Sequence, residues 1–292
     1  MKDALQRRQF LAAGATAAFA ASAGLNQSAF AAPSTTANEP KIGLILYTLR
    51  DFLKTGDDIA RTFEKIKKIG YNNVEITSCG AVSNSELAKL LKANELNAVS
   101  THSSFDQMRN DLNKVVDEHK EIGCSHICVG SMPGDMRKDK ASYIEFAKQA
   151  SEVGQNLAEH NMTFGYHNHN FEFHHFDGIA GQEVLRTESD PKAFNFEIDT
   201  YWIQAGGADP AQWIEKTAGR VPTVHMKDML MLDGKQVFAE VGAGNLNWPA
   251  ILDAIKKAKP KYVIVEQDQC YRDHFESITL SIKNMKSWGL KA

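Results

Sequence analysis

The 292-residue chain predicts one α/β domain, a parallel (β/α)8 barrel. Three observations carry that prediction. From Lys41 onward, short apolar runs alternate with amphipathic stretches of helical length. Eight of each fill about 250 residues, the usual size of such a barrel. Within several runs one face stays apolar while the other turns polar towards the C-terminal end, where barrels gather their active sites. A doubly wound sheet shares the same alternation and is the alternative architecture.

The apolar runs span 42–48, 72–77, 97–102, 126–130, 162–168, 194–199, 221–227 and 261–267. The helical stretches fall near 57–69, 84–94, 108–122, 139–160, 181–188, 209–217, 248–258 and 275–288. The first places Ile59, Phe63, Ile66 and Ile69 on one face and stops at Gly70. The sixth and seventh carry Pro210 and Pro249 near their first turns, where a missing N–H costs no hydrogen bond. Strand parity then sorts the faces. Phe194, Phe196 and Ile198 oppose Asn195, Glu197 and Asp199; Val224 and Met226 oppose His225 and Lys227; Val263 and Val265 oppose Glu266 and Asp268. Val74 and Ile76 oppose Asn73 and Glu75, and Phe164 and Tyr166 oppose His167 and His169. No second domain and no solenoid repeat is visible.

Composition narrows the class. With 43% hydrophobic and 24% charged residues the chain has an ordinary globular make-up, long enough for a large core. The net charge is -3; residues 1–31 hold Lys2, Arg7 and Arg8 against Asp3, so the charge without them is -5. An acidic body argues against nucleic acid as a partner. Cys124 and Cys128 stand roughly 13 Å apart along one strand, too far to bridge. No disulfide framework is expected, and Cys79 with Cys270 is the one pair the fold could bring together.

Residues 6–14 read Gln-Arg-Arg-Gln-Phe-Leu-Ala-Ala-Gly, followed by an alanine-rich apolar stretch and Ala29-Phe30-Ala31. This pattern resembles a twin-arginine export signal cut after Ala31, which implies a periplasmic protein. The expected organisation is a signal at 1–31, a linker at 32–40 and a catalytic barrel at 41–292. After cleavage no segment is long and apolar enough to span a membrane.

Four strand-end residues from the second half of the barrel offer metal ligands: His167, Asp199, His225 and Glu266. Imidazole plus carboxylate suits one divalent transition metal acting as a Lewis acid. Singly, each is an ordinary polar group at a barrel mouth; together, at equivalent positions, they point to a metal. His102 ends strand three and is a candidate acid or sugar contact, against a structural histidine. His169 shares parity with His167, and Lys227 with His225. Glu75 ends strand two. Tyr47, Phe105, Phe171, Phe173, Tyr201 and Trp202 follow strand ends, where rings could stack on a sugar or simply pack a loop. His126, at the start of strand four, is at the wrong end. The stretch Phe238 to Gly244 is glycine-rich but lacks the Gly-Lys-Ser/Thr of a phosphate loop.

Four segments together resemble the sugar phosphate isomerase/epimerase family, the xylose isomerase-like barrels. They are Phe164-Gly165-Tyr166-His167-Asn168-His169-Asn170-Phe171-Glu172-Phe173, Phe196-Glu197-Ile198-Asp199, Val224-His225-Met226-Lys227-Asp228 and Val263-Ile264-Val265-Glu266-Gln267. The resemblance spans about residues 41–288 and implies one divalent metal held by Glu, Asp, His and Glu from strands five to eight. Asp199, His225 and Glu266 match the last three. At the first position the family's glutamate is His167 here, which we take as the ligand, with Glu172 in reserve. The family's frequent histidine three residues after the aspartate is Trp202, and its usual arginine beyond the metal histidine has no match. Losing one metal-bound glutamate removes the paired bases of a two-sided epimerase.

The resemblance therefore implies metal-assisted proton abstraction alpha to a carbonyl of a keto-sugar or oxidised glycoside. Isomerisation or epimerisation is one outcome, and beta-elimination by a 3-keto-glycoside lyase or hydratase is the other. Mn is the expected metal, with Zn, Co, Fe or Mg as alternatives. Glu266 is the expected base, with His102, His169 and Lys227 handling protons or charge. Glu75, Tyr47, Trp202 and Glu172 are expected to touch substrate. An upstream sugar 3-dehydrogenase would supply a 3-keto substrate. A non-catalytic sugar-binding protein and an endonuclease IV-type nuclease are the rival classes, the nuclease disfavoured by charge and export.

Overall fold

The computed structural model describes residues 39–77, 79, 80 and 82–292. The expected signal at 1–31, and the linker apart from Glu39 and Pro40, lie outside the described residues. Eight strands form the barrel: β1 Lys41–Ile45, β2 Asn73–Ile76, β3 Asn97–His102, β4 His126–Val129, β5 Thr163–His167, β6 Phe194–Asp199, β7 Thr223–Met226 and β8 Tyr262–Val265. Each pairs in parallel with the next, and β8 pairs with β1 to close the ring. A doubly wound sheet would keep two open edges, so closure excludes it.

The main helices are α1 Gly56–Ile69, α2 Asn84–Ala93, α3 Leu112–Ile122, α4 Lys140–Ala158, α5 Gly181–Glu188, α6 Pro210–Lys216, α7 Trp248–Ala258 and α8 His274–Ser287. Local chemistry sets their ends. Thr55 and Asp58 exchange hydrogen bonds as a capping box at the start of α1, and Gly70 ends it at φ 107°. Asp209 and Asn247 cap α6 and α7 ahead of their early prolines. The outward strand residues Phe164, Tyr166, Phe194, Phe196, Val224, Met226, Val263 and Val265 are buried against this helical layer. Each such side chain contributes about 1.5–3 kcal/mol by leaving water.

Three details depart from the expected pattern. The stretch at 108–122 is two helices, Phe105–Asn110 and Leu112–Ile122, broken at Asp111 with φ -145° and ψ 52°. Ser104 caps the first of them, and Phe105 packs on Phe146 in the core instead of facing a sugar pocket. Two hairpins also stand at the mouth of the barrel, Asp228–Leu232 with Lys235–Ala239 and His175–Phe176 with Ile179–Ala180. Both turn on an Asp-Gly pair with positive φ, Asp233-Gly234 and Asp177-Gly178. That pair is a strong short-range hairpin signal.

Inside the barrel Ile45, Val99 and Ile264 form a small apolar cluster, and a Cβ on Gly43 would come 2.6 Å from Ile264. Val99 occupies the slip in register between β2 and β3, after which Ser100 and His102 follow the inward parity. The polar layer above it belongs to the site. All four cysteines are free, so Cys79 and Cys270 are not joined. Among the described residues no helix is long and apolar enough to cross a membrane.

Candidate active site

Strand parity brings His167, Asp199, His225 and Glu266 together at the C-terminal end of the barrel. Their ligand atoms lie within 4.8 Å of one another, and all four residues are buried. Asp199 divides its carboxylate between two tasks. Oδ1 accepts from the Trp202 N–H and caps the short helix Thr200–Ala205, while Oδ2 is buried with no hydrogen-bond partner. His167 Nε2 stands 3.7 Å from that oxygen, and His225 Nδ1 meets Glu266 Oε2 at 2.7 Å. Two imidazoles and two carboxylates converging on an orphaned oxygen fit a divalent cation.

Lys227 closes one side. Its ammonium is fully buried, 2.8 Å from Asp268 Oδ2 and 3.4 Å from both Asp199 Oδ2 and Glu266 Oε2. Burial opposes its charge, but these carboxylates raise its pKa above the usual lysine value. Lys227 and His225 in turn hold Glu266 well below the usual carboxylate range, although burial works the other way. Burial pushes Asp199 up to about 7 despite Lys227. The Lys227 ammonium is walled by Trp202, Phe238 and Tyr201, whose ring centres lie 5.1, 5.2 and 5.9 Å away.

The backbone beneath this wall is tied at two points. Thr200 Oγ1 contacts the carbonyls of His225 and Lys227 at 3.0 and 2.9 Å and accepts from Lys227 N–H, locking β6 to β7. Asp228 gathers the glycine-rich loop: its carboxylate accepts from the N–H groups of Met229, Gly242, Gly244 and Leu246 and from Trp248 Nε1. The loop's N–H groups thus enclose the protein's own carboxylate, as a nest encloses an anion. This fold-back sets Phe238 against Tyr201 at 4.4 Å between ring centres.

Below the four ligands lies a second inward-facing layer, made of Glu75 and His102, for which the sequence suggests a substrate contact and a proton carrier, and of Glu197, for which it suggests no role. Glu197 and Glu75 are fully buried there. His102 Nε2 bridges them, 2.7 Å from Glu197 Oε1 and 3.0 Å from Glu75 Oε1. Burial disfavours a charged His102, but the two carboxylates outweigh it and push its pKa up to about 10. His102 is therefore a cation at neutral pH and remains partly exposed.

The remaining expected residues fall in different places. His169 lies beside the ligands, its ring stacked on Phe171 and tilted against Trp202. Burial, with His167 and Lys227 nearby, pushes its pKa down to about 2, so it is a neutral ring and not a charged acid, and its Nδ1 is buried without a partner. Trp202 keeps a buried, unpartnered Nε1. Tyr47 is at the rim, 37% exposed, beneath the Arg50 guanidinium, which also donates to Asp268 O.

Two expected substrate contacts are corrected. Glu75 is sealed under His102 and His225 and takes the Ser100 hydroxyl, because β2 ends one layer below the ligands. Glu172 turns away from the cluster. Its carboxylate accepts from the Tyr166 hydroxyl and from His169 N–H at 2.9 Å, anchoring the loop after β5. It is no reserve ligand. His126 lies deep at the other end, bonded to Thr163.

Asp268, Asn168 and Gln267 join the site without having been singled out. Asn168 Oδ1 accepts from Asp199 N–H, and both amide atoms of Gln267 are buried without partners. Asp268 shares parity with Glu266 and was legible on that ground; Gln267 lies beyond the strand and carries no periodic signal.

A family model for the xylose isomerase-like TIM barrel matches residues 63–285. A solved sugar phosphate isomerase/epimerase from Parabacteroides distasonis superposes with a TM-score of 0.73 at 21% identity, over 90% of this chain and 98% of that one. The probable 3-DHS dehydratase AsbF of Bacillus anthracis, involved in petrobactin synthesis, gives 0.64 at 13%, over 84% and 98%. The IolI protein, solved with a zinc atom bound, gives 0.62 at 14%, over 85% and 97%. At these identities the likeness is one of fold. No curated protein matches the chain.

Proposed function

The chain belongs to the xylose isomerase-like TIM-barrel family, and from that premise we propose a divalent-metal-dependent enzyme that abstracts a proton alpha to a carbonyl of a keto-sugar or oxidised glycoside. The observation that carries it is the buried set His167, Asp199, His225 and Glu266 around an unpartnered carboxylate oxygen. These four would hold the ion, which supplies Lewis-acid polarisation of a carbonyl and its neighbouring hydroxyl. The zinc atom bound by the IolI neighbour supports a metal in this fold; Mn remains our expected ion here.

The chain's own residues define the chemistry. Glu266, kept ionised by Lys227 and His225, accepts the proton from carbon. The Lys227 ammonium stabilises the oxyanion that develops. Trp202, Tyr201 and Phe238 keep water from that side. His169, neutral, and Gln267 offer hydrogen bonds to hydroxyls. The mouth and the layer beneath it gather Glu75, Glu197, Asp199, Glu266 and Asp268, and Lys227 is already paired with three of them. This acidity favours an uncharged sugar over a phosphorylated one.

A specific observation favours elimination as a second reading. His167 replaces a carboxylate base, and His102 is cationic. In elimination Glu266 takes the proton from carbon, the beta C–O bond breaks as C=C forms, and His102 protonates the departing oxygen. An enzyme that oxidises a sugar hydroxyl at C3 must then act upstream. Arg7-Arg8 and Ala29-Phe30-Ala31 support export of the mature chain to the periplasm, which is part of this proposal.

The test is to load residues 32–292 with Mn and follow a 3-keto-glucoside by NMR in D2O beside a panel of ketohexoses. Aglycone release with an unsaturated or rearranged sugar means elimination. Deuterium exchange or epimer formation without release means isomerase chemistry. Neither, with metal bound, defeats the substrate assignment. Glu266→Gln that loses metal but keeps sugar affinity and has no activity to lose would favour a binding protein instead.

A further inference from the structure

The deep layer beneath the ligands contains a carboxylate that no ligand role explains. Glu197 is fully buried on β6, two residues before Asp199. Its Oε1 faces three imidazoles: His102 Nε2 at 2.7 Å, His225 Nε2 at 3.2 Å and His167 Nδ1 at 3.3 Å. Its Oε2 accepts from Thr223 Oγ1 at 2.8 Å and Cys128 Sγ at 3.4 Å. One carboxyl oxygen can give at most one proton, so three ring nitrogens gathered on Oε1 must include N–H donors.

A metal takes the imidazole nitrogen that carries no proton, and the partner of the opposite nitrogen decides which one that is. We propose that Glu197 is a positioning residue that fixes opposite nitrogens of the two ligand histidines towards the metal: Nε2 of His167 and Nδ1 of His225. The proposal rests on the metal reading above for its purpose, but not for its geometry. With Nδ1–H on Glu197, His167 presents a bare Nε2 towards Asp199 Oδ2. With Nε2–H turned to the gap between Glu197 and Glu75, His225 directs Nδ1 at Glu266, and a metal would displace the proton which those two atoms share. Neither contact of His225 Nε2 is a well-formed hydrogen bond on its own, as expected for one N–H shared between two carboxylates. His102, His167, Glu197 and His225 also offer atoms close enough for a cation. The contacts that Glu197 already makes with His102, His167, Thr223 and Cys128 occupy its oxygens instead.

The test uses the chain labelled with 15N-histidine, as wild type and as Glu197→Gln. Histidine 15N–1H spectra are taken without metal at pH 8 and again with one equivalent of Zn. In the metal-free wild type, His167 should be the Nδ1–H tautomer, and in Glu197→Gln it should become a mixture. With Zn, His167 should coordinate through Nε2 and His225 through Nδ1. Glu197→Gln should bind Zn about 10–100-fold more weakly in chelator competition, the usual effect of removing a partner that orients a metal ligand. A Nε2–H tautomer of metal-free His167, coordination through the same nitrogen of both rings, or a second Zn in the deep pocket would each overturn the proposal. No Zn binding beside a Nδ1–H His167 would instead defeat the metal reading and leave Glu197's role standing. If Glu197→Gln does not fold, the wild-type tautomers still decide.

Discussion

Glu172 shows how burial rather than position decides a residue's part. On sequence grounds it stood near the ligands, but the chain turns it under the β5 loop, where burial pushes its pKa up to about 7. Its folded pKa exceeds the unfolded value, so the native state holds the proton more tightly. Stability is therefore greatest below the unfolded carboxylate pKa and falls as pH rises towards 7, by roughly 3 kcal/mol. Glu172→Gln stays neutral throughout and can keep both partners, its amide turning to the Tyr166 hydroxyl. Urea midpoints from pH 4.5 to 8 should fall for wild type relative to this variant, and parallel curves would show that Glu172 is ionised in the fold. Other residues were legible because strand alternation is rigid. His167, Asp199, His225, Lys227 and Glu266 lie on inward or strand-end positions that parity dictates. Parity does not report depth, which is why Glu75 was mistaken for a substrate contact and Glu197 went without a task.

At the scale of the element, sequence and structure agree wherever one rule controls the segment. Gly70 and the Thr55–Asp58 box delimit α1, and the early prolines mark α6 and α7. The helix predicted at 108–122 breaks at Asp111 because its two halves pack on different neighbours, which no periodicity encodes. The hairpin from Asp228 to Ala239 was legible in its Asp233-Gly234 turn, but the following glycines drew attention as a loop. Asp228 holds this whole excursion. Asp228→Ala would strand the four backbone N–H groups and the indole that now meet one carboxylate, costing roughly 2–4 kcal/mol. We expect faster proteolytic cleavage between Asp233 and Leu246 and a raised KM as Phe238 leaves its place. Unchanged cleavage and KM would show that the hairpin stands without Asp228.

For the whole molecule, closure of the sheet was foreseeable from eight alternations, while the charge stored inside it was not. Five carboxylates meet at the mouth and in the layer beneath it, with Lys227, His102 and His225 as the cations facing them. A bound divalent ion should relieve that excess and bind the folded state alone, linking affinity to stability. At a hundredfold excess over Kd the gain is about 2.7 kcal/mol, which raises Tm by about 5–10 °C for a chain of this length. Differential scanning fluorimetry with Mn, and reversal by EDTA, measures it. A Tm indifferent to every divalent ion would sink the metal reading, and His225→Ala should abolish the shift.

The plug of Ile45, Val99 and Ile264 beneath the polar layer has a consequence for traffic. A chamber with a sealed floor has a single doorway, so what is made inside departs by the route its precursor took. Substrate and product of the proposed reaction then compete for the same threshold, bounded by Tyr47, Trp202 and the Asp228 hairpin.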